Sequence, residues 1–89
     1  MPYIEKQLRY ELDIDLQDVI RCNFSSGELN YIITRILMGT NPRCYDEYNS
    51  LIGVLECCKL EMYRRAVSIY EQKKILENGD LPEYKGEKK

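Results

Sequence analysis

Eighty-nine residues with a formal net charge of -2 and a pI near 5.2 allow one small domain. They exclude a dedicated duplex-DNA reader, which needs a basic footprint. The chain has no histidine, so a Ser-His or Cys-His catalytic pair is excluded, and no apolar run approaches the ~18 residues of a membrane span.

The first segment, Tyr3 to Phe24, reads as helical but interrupted. Asp13 is a natural cap for a helix from Ile14 to Cys22, with Leu16, Val19 and Ile20 on one face. Glu5 to Tyr10 then forms a separate turn; one unbroken helix is the alternative. The second helix is announced by Ser25-Ser26-Gly27-Glu28, a capping box. It turns Leu29, Ile32, Ile33, Ile36 and Leu37 toward a core and ends near Gly39, before the Asn41-Pro42 turn. Its other face carries Asn30, Tyr31, Thr34, Arg35 and Met38.

The third helix is predicted from Tyr45 to Glu77, with Asn78-Gly79 as a left-handed cap. At about 100° per residue, Tyr45, Tyr48, Leu51, Ile52, Leu55, Cys58, Met62, Tyr63, Ala66, Ile69, Tyr70 and Leu76 share one side. Glu56 and Lys59 fall on that side too, and a charge there is costly unless it is paired or serves a ligand. Such a rod is roughly 50 Å long, more than two helices of roughly 15–22 Å can cover. The expected fold is therefore all-α, a three-helix domain over 1–79 with one long C-terminal helix, oligomerising through that helix. A bend near Ser68 that folds the end back is the competing reading. The polar segment 80–89, DLPEYKGEKK, is expected to be a flexible tail.

The four cysteines, Cys22, Cys44, Cys57 and Cys58, form no CxxC pair. They read as reduced thiols of a cytoplasmic protein, and no metal site or cofactor is expected. Eight tyrosines and no tryptophan suit either an oligomer seam or a flat aromatic ligand.

The residues best suited to a ligand are Tyr31 and Arg35 on the second helix and Lys59, Tyr63 and Arg65 on the third. Arginine forks match phosphate oxygens, and tyrosine rings stack on bases. Glu56 lies beside Lys59, and Asn30 and Thr34 offer hydrogen bonds to a ligand or a partner helix. The ordinary alternative is surface pairing: Glu56 with Lys59 and Glu61 with Arg65 have helix-neighbour spacing. Carboxylates such as Glu28, Asp46, Glu47 and Glu71 raise a magnesium-dependent hydrolase. Against it, Glu56 and Glu61 project about 140° apart.

In MPYI at the start, GELNYIITR (27–35), GVLE (53–56), EMYRR (61–65) and YEQKKILENGD (70–80), the chain resembles a family of small uncharacterised phage and prophage proteins. The resemblance implies a context, the host cell cytoplasm, where small phage proteins disarm host defence. It carries over no activity. By analogy of kind, the expected function is a non-catalytic homo-oligomer, a counter-defence sponge that sequesters an anionic nucleotide-type signal between subunits. A protein-interaction module that inhibits a host protein is the main alternative, and the magnesium-dependent nucleotide hydrolase is a third. The expected partners are the chain itself and a nucleotide-like small molecule, with no duplex DNA and no membrane.

Overall fold

The computed structural model describes residues 2–85. It is all-helical, 79% helix, with no strand among the described residues. The chain divides into two units, residues 1–55 and 56–89.

Helix α1 runs unbroken over Lys6–Ile20, so the interruption expected at Asp13 does not occur. No glycine or proline lies between Lys6 and Ile20 to break the ladder, and a cap residue does not by itself start a helix when the preceding turn is already helical. Gln7 Nε2 donates to Glu11 across one turn (3.2 Å). At the far end, Arg21 Nε donates to the Gln17 carbonyl (3.3 Å) and the Cys22 thiol to that of Asp18 (3.1 Å). These satisfy carbonyls that the helix end leaves without amide partners.

Helix α2, Ser26–Met38, starts as its sequence predicts. The Glu28 amide donates to Ser25 Oγ (3.2 Å), and the Ser25 amide donates to Glu28 Oε1 (2.8 Å). Ser25→Ala removes one half of this reciprocal pair and is expected to cost about 1 kcal/mol, read as a lower urea midpoint at fixed protein concentration. The helix stops as the Thr40 and Asn41 amides take the Leu37 and Met38 carbonyls. The Thr40 hydroxyl also donates to Leu37 (2.7 Å). Asn41 then takes φ 58, a left-handed conformation that asparagine tolerates better than most residues.

Helix α3 covers Tyr45–Met62, a π-helical segment Tyr63–Val67, and α4 Ser68–Asn78. Together they form the long C-terminal helix, 34 residues. Its first turn is tied back by Glu47, whose carboxylate accepts from the Arg43 amide (2.7 Å). Gly79 ends it at φ 89, ψ 152. Glycine alone adopts this conformation readily, so the stop falls at the expected residue, although the geometry is not the left-handed helical one. In the segment expected to be a tail, α5 makes one turn at Pro82–Lys85; the remainder of that segment, 86–89, lies outside the described residues.

None of the described residues is buried. In residues 1–55 the apolar side chains Phe24, Ile32, Leu37, Pro42 and Leu51 reach half-burial. Others meant for a core, such as Ile36 at 59% and Ile52 at 63%, remain open. No described helix is long and apolar enough to cross a membrane.

Candidate functional site

The eight residues singled out from the sequence fall into two groups, one in each unit, and all eight are exposed. The first group lies on α2. Spacing of four residues puts Arg35 one turn beyond Tyr31, and its guanidinium lies 6.0 Å from the centre of the Tyr31 ring. This is the outer range of a cation–π contact. Both side chains are exposed. Arg35 also borders, with Met38 and Gly39, a shallow hollow of about 220 Å³. The helix end nearby would repel an anion through its carbonyls, but those of Leu37 and Met38 already accept hydrogen bonds. Residues 1–55 carry eight acidic side chains against five basic ones. An anion here would therefore depend on Arg35 itself and not on a general positive field.

Asn30 and Thr34 are placed side by side as their spacing requires. The Thr34 hydroxyl, however, donates to the Asn30 carbonyl (2.7 Å). That hydrogen is committed to the helix backbone, so the hydroxyl oxygen retains only acceptor capacity toward a ligand.

The second group lies within residues 56–85. Lys59 Nζ and Glu56 Oε2 form an ion pair at 2.9 Å with both side chains largely in water, worth about 0–1 kcal/mol. An incoming phosphate could compete with such a pair. At Glu61 the contact expected of Arg65 is made by its neighbour: Arg64 Nη2 meets both carboxylate oxygens, at 2.9 and 3.1 Å. Arg64 is three residues on and Arg65 four, and both spacings reach Glu61 on a helix surface. Arg65 stays exposed. Tyr63 opens the π segment; its carbonyl accepts the Ser68 amide.

A second hollow, about 360 Å³, was not foreseen from the sequence. It is lined by the α2–α3 connection, including Thr40, Asn41, Arg43, Glu47 and Ser50. Arg43 and Glu47 face each other across 3.5 Å. The signal available in the sequence was the Asn41-Pro42 turn followed by a basic and an acidic residue one helical turn apart. Each of these charges has the other as its partner, so the hollow offers no spare charge.

All four cysteines are free and exposed. No cluster of three or more histidine, cysteine or acidic side chains that could hold a metal ion occurs among the described residues. The carboxylates of Glu56 and Glu61 each hold a basic partner instead.

Each group is thus a set of exposed aromatic and cationic side chains on a helix. The family described as Domain of unknown function (DUF6899) matches residues 1–81, and the chain belongs to it. No curated protein and no solved structure matches the chain.

Proposed function

We propose that this chain is a non-catalytic homo-oligomeric binding protein that holds an anionic, nucleotide-like ligand where subunits meet. The observation that carries the reading is the Tyr31–Arg35 arrangement, a guanidinium held 6.0 Å from an exposed ring. A planar base needs an aromatic face, and a phosphate needs an arginine fork within reach of it. Lys59 and Arg65 supply further exposed cations. Self-assembly is supported by the absence of any buried described residue. Burial of apolar surface is the main favourable term in folding, and a helical chain lacking it must gain that burial from another molecule. A second copy of the chain can supply it. In this reading the protein is a cytoplasmic sponge that lowers the free concentration of a nucleotide signal, as a phage counter-defence protein would.

The same surface supports a second reading, a module that grips a host protein. Its warrant is the exposed apolar and tyrosine side chains, among them Tyr45 at 76% and Leu76 at 80%, beyond what a small ligand needs. A panel of linear and cyclic nucleotides in a thermal-shift assay separates the two. A ligand at 100 times its Kd is expected to add about 2.7 kcal/mol of stability. That corresponds to a rise of roughly 10 °C or more for a domain of this size. Denaturing the complex is expected to release the nucleotide intact; recovered cleavage product would favour the hydrolase. No shift with any nucleotide abandons the sponge and leaves the host-protein module.

A further inference from the structure

At Ser68 the long C-terminal helix exchanges one hydrogen bond for another. In an α-helix the Ser68 amide would donate to the Arg64 carbonyl. Here it donates one residue further back, to Tyr63, and the Ser68 hydroxyl takes the Arg64 carbonyl at 2.6 Å. In α2 the Thr34 hydroxyl makes the same kind of bond, to Asn30, but α2 is α-helical throughout and the bond is an addition. At Ser68 it is a replacement. Without the hydroxyl the Arg64 carbonyl would lose the donor that stands in for the amide, and the α-helical bond would be the lower in energy.

A π segment acts as one residue inserted into an α-helix, so every later residue is turned back by about 100°. The consequence is clearest at two tyrosine–lysine pairs. Lys59 stands one turn before Tyr63, and Lys74 one turn after Tyr70, over whose ring it lies at 5.6 Å. Counted without the insertion, Tyr70 falls about 20° from Tyr63, and all four side chains share one face about 60° wide. Counted with it, Tyr70 stands about 120° from Tyr63. Both rings are exposed, Tyr63 at 54% and Tyr70 at 58%, so the offset decides which way an accessible ring points.

We propose that the Ser68 hydroxyl is a register lock, which keeps the Tyr70–Lys74 pair off the face of Lys59 and Tyr63 and so limits that face to a ligand with one base. The size limit rests on the proposed nucleotide-like ligand; the lock does not. In the offset register the face offers one ring and one lysine. In the straight register it would offer a second ring about 10 Å along the helix, with a second lysine beyond it, enough for an oligonucleotide.

Amide-to-carbonyl couplings across hydrogen bonds, measured by NMR on the isotope-labelled full chain, read the register directly. In the unaltered protein the residue 68 nitrogen is expected to couple to the Tyr63 carbonyl. In Ser68→Ala it is expected to couple to Arg64, with helicity by circular dichroism retained, and in Ser68→Thr, which keeps a hydroxyl, to Tyr63 again. Ser68→Cys, a much weaker donor, is expected to move it part-way and stands in if the alanine variant fails to fold. An alanine or cysteine variant still coupled to Tyr63 alone, or a threonine variant or unaltered chain coupled to Arg64, overturns the lock. Thymidine monophosphate and a thymidine tetranucleotide, titrated into the same samples, read the size limit. Ser68→Ala is expected to tighten the tetranucleotide by about fivefold or more, the gain of one further stacked base, and to leave the monophosphate unchanged. A changed register with an unchanged ratio of affinities overturns the size limit. A chain that binds neither probe tells against the proposed function, and the couplings still decide the lock.

Discussion

Diluting the protein a hundredfold is expected to lower its melting temperature by about 5–10 °C. None of the described side chains is buried, and on the proposed self-assembly the apolar surface that drives folding is covered when chains associate. When folded chains exist only as an assembly, stability depends on concentration by mass action. For paired chains a hundredfold dilution removes roughly 2.7 kcal/mol per pair. Half of that falls on each chain, and about 1 kcal/mol moves the midpoint by about 4–8 °C in a domain this small. Circular dichroism melts at micromolar and at hundred-micromolar chain concentration measure it. A midpoint independent of concentration would mean that the lone chain is stable as it stands.

Replacing Arg35 and Lys59 by alanine is expected to weaken nucleotide binding by tenfold or more for each change. A hydrogen bond to a charged group contributes about 1.5–3 kcal/mol, and about 1.4 kcal/mol is a factor of ten. The assembly is expected to keep its mass. Both side chains are exposed, and the Glu56–Lys59 pair that would be lost is a solvated one. Titration calorimetry with whichever nucleotide gives the largest thermal shift, beside native mass on the same samples, reads both quantities. Affinity unchanged in the double variant removes these residues from the site. Loss of the assembly would instead assign them to the subunit seam, with Tyr31 and its face left as the remaining point of contact for a ligand.

The ends of the helices were legible because they are made by neighbours in sequence. Ser25 and Glu28 close α2 at its start, and Gly79 closes the long helix. Asp13 has a cap residue's chemistry, but it stands inside a ladder that is already helical, where that chemistry starts nothing. The site was legible in part. A spacing of four residues brings Tyr31 and Arg35 together on any α-helix, and they are together. The contact of Arg64 with Glu61 was not legible. Arg64 and Arg65 are both within reach at helix-neighbour spacing, so spacing alone does not choose between them. The hollow beside Arg43 and Glu47 is lined by Asn41 in its left-handed conformation, and a single residue's φ leaves only a faint mark on composition.

The sequence by itself determined an all-helical chain, the caps at Ser25–Glu28 and Gly79 and the long C-terminal helix, since periodicity and capping act within a few residues. Only the tertiary structure decided that none of the described apolar side chains would be buried by the chain's own helices. It also decided that the C-terminal helix would slip by one residue at Tyr63–Val67. The reason is physical. Burial depends on which surfaces meet across the fold. An amide choosing between carbonyls four and five residues back is settled by small energy differences that periodicity and capping do not encode.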